Sequence, residues 1–242
     1  MRRSRFYTTQ VLETGDRIAL EQRLEHYLTR VLRLADGDEI TLFNGNGLDY
    51  LARLCRDGRG SLCAAIIAHV EPANESPLAI TLVQAIGRGE RMDFALQKAT
   101  ELGVAGIRPI TCERVGVKLD EKKRARRLGH WQGVVISACE QSGRASVPEV
   151  SPPITLQAWL QEDDASLRLV LDPQAAQPLS AVEPRQDSVA IVIGPEGGCS
   201  KREIESLRAA GVRPVSLGPR VLRTETAGPG AIAVLQTISG DF

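Results

Sequence analysis

From Leu78 onward, apolar strand-length runs alternate with helix-length segments, and this rhythm constrains the fold more than any other feature. "LAITLVQAI" reads as a strand, and Glu90–Leu102 as an amphipathic helix stopped by Gly103. Next come the strand "GIRPITC", a helical stretch from about Asp120 to Gln141, and the strands "LRLVLD" and "SVAIVIG". A helix at Ser200–Ala210, the strand "RPVSLG" and a last helix from about Gly230 complete the series. These strands are apolar throughout instead of alternating. Such strands are buried on both faces, so the pattern predicts an α/β fold with a parallel sheet covered by helices.

The earlier part of the chain has a different rhythm. "RFYTTQVL", "DEITLFNGNGLDYLARL" and "SLCAAIIAHV" are strand-like, and Asn44-Gly45 with Asn46-Gly47 marks a tight hairpin turn. One helix is expected around Leu20–Leu32, with Leu24, Tyr27, Leu28, Val31 and Leu32 as its apolar stripe. Several short strands and one helix suggest a small β-barrel. The polar, proline-bearing stretch "VEPANESP" (70–77) reads as a linker. The expected domains are therefore 1–72 and 73–242.

Composition excludes several classes. Thirty basic residues balance thirty acidic ones, so a nucleic-acid partner has to be held by local patches and not by a global field. No apolar run has the length of a membrane span, and "MRRSRFYTTQ" lacks the apolar core of a signal peptide. Five cysteines without a C-x-x-C pair, and three histidines without ligand spacing, argue against a disulfide framework and a metal site. A reducing cytoplasm is expected.

Two loops stand out. "IGPEGGCSKREIE" follows a buried strand, and Ser200 precedes Glu203 by three residues, a capping box opening a helix. "LGPRVLRTETAGPG" also follows a strand and leads into a helix. Ligands in open parallel sheets gather at the carboxyl ends of strands, so two such loops can frame one crevice. Neither loop has the spacing of a phosphate loop or a dinucleotide fingerprint. A nucleotide-dependent enzyme is thereby disfavoured, and a non-catalytic RNA-binding protein is the other alternative.

"IVIGPEGG" followed by "VSLGPRVLRTETA" resembles the SPOUT class of RNA methyltransferases. Together with "RFY", "HYLTRVLRLADGDEITLFNGNGLDYLARL", "QKATELGV" and "ACEQSGR", these residues are similar to the ribosomal RNA small-subunit methyltransferase E family. The likeness spans nearly the whole chain, although the segment from Ile154 to Ala165 matches no motif of it. It implies a PUA-like β-barrel followed by a trefoil-knotted α/β domain, acting as a homodimer. It also implies S-adenosylmethionine as methyl donor and N3 of uridine 1498 in 16S rRNA of the small ribosomal subunit as acceptor. A SPOUT enzyme with another target nucleotide is the nearest alternative.

The resemblance implies a donor site at Gly194, Glu196, Gly197 and Gly198 in the first loop and at Leu217, Gly218, Arg220 and Leu222 in the second. Leu171, at the end of the preceding strand, is expected to wall the adenine, its alternative being plain core. Uracil N3 carries a proton at neutral pH, so methylation calls for a base, for donors that stabilise the uracil anion, or for both. Arg223 fits the donor role, because a guanidinium fork suits a delocalised oxyanion. Glu225 and Glu140 are candidate bases; a helix cap for Glu225 and an i,i+4 pair with Arg144 for Glu140 remain open. Arg2, Arg3, Arg5, Arg30 and Arg33 are expected to grip RNA phosphate, with the run "KLDEKKRARR" (118–127) as a second patch or a solvated helix face. Cys139 reads as helix packing.

Overall fold

The computed structural model describes residues 3–114, 121–162, 166–183 and 187–242. Arg2 and the first part of the basic run, residues 118–120, lie outside the described residues. The chain forms two compact units, Met1–Asn74 with Cys139–Val147, and Glu75–Ala138 with Pro148–Phe242. A division at 72/73 leaves out residues 139–147, which pack with the first unit.

The first unit is a five-stranded sheet in the order β1 (Arg5–Tyr7), β3 (Glu39–Phe43), β4 (Asp49–Arg56), β5 (Leu62–Val70), β2 (Arg17–Ala19). β1 lies parallel to β3, and the other neighbours are antiparallel. The turn between β3 and β4 needs positive φ, which Gly45 (90°) and Gly47 (88°) supply without a Cβ clash. Alternate residues of β3 and β4, among them Ile40, Leu42, Tyr50, Ala52 and Leu54, pack into one core with Leu28. Leu28 belongs to a helix that begins as α1 (Gln22–His26) and continues as a π-helical turn over Tyr27–Val31. The changed register overturns part of the expected stripe. Leu28 is buried and Leu24 and Leu32 pack beside it, but Tyr27 and Val31 are exposed. Arg33, at φ 57°, ends the helix, and the Leu34 N–H bonds the Leu28 carbonyl at 2.9 Å.

Arg5 does not take the phosphate-gripping place expected of it. Its side chain is only 7% exposed, and its guanidinium is ion-paired with Asp49. It also donates to the carbonyls of Cys139 (3.2 Å) and Arg144 (3.3 Å) and lies 4.8 Å over the Phe43 ring. With its donors turned inward, Arg5 is a structural residue of the first unit and not a phosphate ligand. Arg3, Arg30 and Arg33 are exposed, and Arg3 pairs with Glu39 at 2.9 Å.

The second unit is built on a parallel sheet in the order β12 (Arg213–Val215), β10 (Leu167–Leu171), β11 (Ser188–Ile193), β6 (Ala79–Ala85), β7 (Gly106–Thr111), β8 (Glu149–Val150). β9 (Ile154–Thr155) also pairs with β7. Val189–Ile193 of β11 is wholly buried, as its unbroken apolar run predicts. Helix α2 (Glu90–Glu101) buries Met92, Ala95, Leu96 and Ala99, the one-face spacing of an amphipathic helix. It stops at Gly103 (φ 84°), where a Cβ would lie 2.6 Å from Gln236 Nε2. That amide, buried on α6 (Thr224–Ser239), donates to the Leu102 carbonyl at 3.0 Å and so caps α2. The long helix α3 spans Glu121–Ser142. The 154–160 segment, which sequence left without a role, is β9 and the short helix α4 (Leu156–Leu160), whose Trp159 is buried in the core of this unit. No helix among the described residues is long and apolar enough to cross a membrane.

The last helix begins at Thr224, six residues before the expected start at Gly230. Gly-Pro-Gly at 228–230 looks like a breaker but lies inside the helix. A Cβ at Gly228 would lie 3.3 Å from Leu82 Cδ1, and one at Gly230 would lie 3.1 Å from Leu217 Cδ2. The glycines therefore lower helix propensity in exchange for close contact with β6 and with the loop after β12.

Candidate donor cavity

The sites of interest lie at the carboxyl ends of β10, β11 and β12. Leu171 closes β10 and Ile193 closes β11. After Gly194 the chain turns through Pro195–Gly198, with the Gly198 N–H on the Pro195 carbonyl at 2.8 Å and Gly198 at φ 67°. Ser200 then caps helix α5 (Lys201–Ala209). Its hydroxyl accepts the Glu203 N–H and the Glu203 carboxylate accepts the Ser200 N–H, the predicted capping box. Beyond β12, the Leu179 N–H binds the Ser216 carbonyl at 2.8 Å, and residues 216–223 run without regular structure to Arg223, the N-cap of α6.

The two loops are tied by Thr224. Its hydroxyl donates to the Gly194 carbonyl at 2.9 Å and accepts from the buried Gln84 amide at 3.1 Å. Between them lies a cavity of about 780 Å³. That size and its mixture of apolar walls with a few polar groups suit a cofactor-sized ligand. Leu171, Gly194, Glu196, Gly198, Leu217, Arg220, Leu222, Arg223 and Glu225 all line it. Gly197 and Gly218 are not among the lining residues. The Gly197 carbonyl instead accepts from Arg114 at 2.9 Å, and Gly218, at φ 76°, shapes the second loop.

Glu225 sits in the first turn of α6 with 14% of its side chain exposed. Its Oε1 lies 3.9 Å from Arg91 Nε and 4.0 Å from Arg223 Nη1. Among the described residues its Oε2 is buried without a hydrogen-bond partner, which a donor on a bound ligand would satisfy. Arg223 is 80% exposed and lines the cavity. Arg91, which sequence reading missed, joins the loops from α2, donating to Glu196 at 3.1 Å. Its only signal was a basic residue in the first turn of a helix, where acidic residues are expected.

Glu140 lies in the first unit. Its Oε1 accepts the Tyr7 N–H at 3.0 Å, a long-range tie. Burial pushes its carboxyl above the usual range, against the opposing pull of the Tyr7 N–H, Arg23 and Arg5.

Comparison with known proteins places the whole chain among RNA methyltransferases. The RNA methyltransferase domain family matches residues 74–236, and the RNA methyltransferase PUA domain family matches residues 26–67. Ribosomal RNA small subunit methyltransferase E of Buchnera aphidicola (from Schizaphis graminum) is 33% identical over 98% of this chain and 97% of its own. The Mycobacterium bovis protein of the same name is also 33% identical, over 95% and 91%. A crystal structure of ribosomal RNA small subunit methyltransferase E from Neisseria gonorrhoeae, bound to S-adenosyl methionine, superposes with a TM-score of 0.92 at 40% identity over all of both chains. A Legionella pneumophila structure solved with the cofactor SAM bound gives 0.94 at 39%, again over all of both. With likeness running from end to end in both sequence and structure, the chain belongs to the ribosomal RNA small subunit methyltransferase E family.

Proposed function

We propose that this protein transfers a methyl group from S-adenosylmethionine to N3 of uridine 1498 in 16S rRNA. The observation that carries the reading is the cavity held between two loops at the strand ends by Thr224. S-adenosylmethionine fits the residues present: apolar side chains of Leu171, Leu217 and Leu222 for the adenine, glycine backbone for close approach, and an unsatisfied buried carboxylate oxygen on Glu225. When bound, the cofactor supplies an electrophilic methyl carbon.

The protein's own task is to make uracil N3 nucleophilic. Loss of the N3 proton spreads negative charge over N3, O2 and O4. Arg223, exposed at the mouth, donates to that charge in a bidentate manner. Glu225 takes the proton or orients Arg223, and its position on the cavity wall favours it over Glu140, whose Oε1 is engaged by Tyr7. N3 lies on the Watson–Crick edge, so the target uridine has to be unpaired.

The remaining parts of this reading have their own support. The first unit is a PUA-like barrel, favoured by its five-stranded sheet and the matching family over 26–67. The second is a trefoil-knotted domain, favoured by the strand order and the two loops converging beside α6. We read the domains as 1–72 and 73–242 in sequence, with 139–147 lent to the first. Arg3, Arg30 and Arg33 offer exposed charge for RNA phosphate. In this reading the working assembly is a cytoplasmic homodimer, as the family resemblance implies.

The test is methyl transfer from labelled S-adenosylmethionine to 16S rRNA or small subunits lacking the modification, with the product mapped by mass spectrometry. A single N3-methyluridine at position 1498 is expected. Methylation at another nucleotide would replace the target, and no transfer would remove the reading.

A further inference from the structure

Beside the cavity lies a pair of thiols that methyl transfer does not use. Cys112 follows β7, and Cys199 follows the Pro195–Gly198 turn and lines the cavity. The sulfurs of both and a carboxylate oxygen of Glu203 all lie within 4.8 Å of one another. Glu203 is 2% exposed and holds the backbone immediately after each cysteine. One oxygen accepts the Glu113 N–H at 2.8 Å and the other the Ser200 N–H at 2.7 Å. A single buried carboxylate thus keeps two thiols, far apart in sequence, face to face.

We propose that Cys112 and Cys199 are a hydroperoxide-oxidisable pair whose disulfide closes the donor cavity. This rests on the donor-site reading above for its consequence, but not for its chemistry. The two sulfurs are not equivalent. Hydrogen bonding from Cys112 holds the Cys199 thiol below its ordinary range, with a smaller contribution from Arg114, against burial and the Glu203 and Asp172 charges. The same hydrogen bond, with burial, pushes the Cys112 thiol up. Cys199 lines the cavity and Cys112 does not, so Cys199 is the sulfur that an oxidant entering the cavity meets, and it acts as the nucleophile. Its thiolate sulfur attacks the terminal peroxide oxygen, the O–O bond breaks, and the leaving hydroxide (or alkoxide) takes up the proton that the Cys199 thiol released and departs as water (or alcohol), giving the sulfenic acid. The Cys112 sulfur then attacks the Cys199 sulfur. The S–S bond forms, the S–O bond breaks, and the hydroxide takes the Cys112 proton to leave as water. Two thiols are oxidised and one peroxide is reduced.

A disulfide needs its sulfurs about 2.05 Å apart. Cys199 Sγ now packs against Gly194, where a Cβ would lie 3.1 Å from it. Drawing Cys199 towards β7 pulls on the loop that carries Glu196 and Gly198 into the cavity wall. A metal at the three groups is disfavoured, because both carboxylate oxygens already serve backbone N–H groups.

The experiment uses full-length protein carrying Cys55→Ser, which removes the cross-strand pair Cys55–Cys63, whose sulfurs are 2.7 Å apart. Reduced protein is treated with hydrogen peroxide, digested without reductant and mapped by mass spectrometry. S-adenosylmethionine affinity is measured by calorimetry before and after, and again after dithiothreitol. A Cys112–Cys199 peptide is expected, with affinity falling tenfold or more and recovering on reduction. Adding Cys112→Ser should abolish the linkage while leaving reduced-state affinity unchanged. Both thiols remaining alkylatable after peroxide, stoichiometric zinc in the purified protein, or linkage with unchanged affinity would each overturn the proposal. Linkage in a protein that never binds S-adenosylmethionine would support the thiol pair and remove the donor-site reading instead.

Discussion

The Thr224 hydroxyl donates to the carbonyl of Gly194, thirty residues earlier, at 2.9 Å, and so ties the start of one cavity loop to the end of the other. Because the same hydroxyl accepts from the buried Gln84, its removal takes a partner from an amide that is only 1% exposed. Thr224→Val is expected to cost about 1–3 kcal/mol of stability, the usual range for unpaired buried polar groups. It should also weaken S-adenosylmethionine binding by roughly tenfold, equivalent to about 1.4 kcal/mol. Thr224→Ser should restore both. Urea denaturation and calorimetry on the three proteins check this; normal donor affinity in the valine variant would show that the tie does not shape the cavity.

The two central loop glycines should behave differently. Gly198 has φ 67° and lines the cavity, so a side chain there is strained and intrusive. Gly197 has no positive φ, and a Cβ there would meet Arg114 only at ordinary contact distance, 3.7 Å. Gly198→Val should reduce donor affinity by at least about tenfold, while Gly197→Ala should leave it within about twofold. Equal effects at both positions, measured by calorimetry, would argue against this loop geometry.

Arg5, the first residue of β1, and Arg3, just before that strand, offer a contrast. Arg5→Ala leaves Asp49 without its partner in a site where its own side chain is only 16% exposed. Breaking such a pair costs about 3–5 kcal/mol. Arg3→Ala removes an exposed pair and should cost about 0–1 kcal/mol. Thermal and chemical unfolding measure the difference, and a mild Arg5 effect would mean that its inward contacts are replaceable.

Glu140 provides a pH signature. Burial favours its protonated form, so the native chain holds that proton more tightly than the unfolded chain does. The stabilisation is fully present below the usual glutamate range and is lost as pH rises through the elevated native value. Glu140→Gln keeps an oxygen acceptor for Tyr7 but has no charge to bury. The stability of Glu140→Gln relative to the parent should therefore increase between about pH 4 and pH 7. A flat difference across that range, in denaturation curves, would show that the charged carboxylate is well accommodated.

Arg223→Ala should reduce turnover by about tenfold to a hundredfold with little change in S-adenosylmethionine affinity, since the group acts on charge that develops in the transition state. Single-turnover kinetics separate the two. An equal loss in donor affinity would make Arg223 a binding residue.

The strands and most of the helices were legible because burial on a parallel sheet writes an unbroken apolar run, and a surface helix writes its one-sided period. The capping box at Ser200 and Glu203 and the hairpin glycines were legible for the same reason: each is a local contact whose partners lie a few residues apart. Most of the loop residues expected at the donor site do line the cavity, because glycines and strand ends are marked in the chain itself. What misled was any feature whose cause is distant in sequence. Gly228 and Gly230 look like helix breakers until Leu82 and Leu217 press against them, and Arg5 looks like a phosphate ligand until Asp49 and Phe43 enclose it. The tie from Thr224 to Gln84, the clasp of Arg91 on Glu196, and the meeting of Cys112 with Cys199 carry no local signature. Each joins segments that are distant in sequence and adjacent only in the folded sheet, so only the tertiary structure decides them.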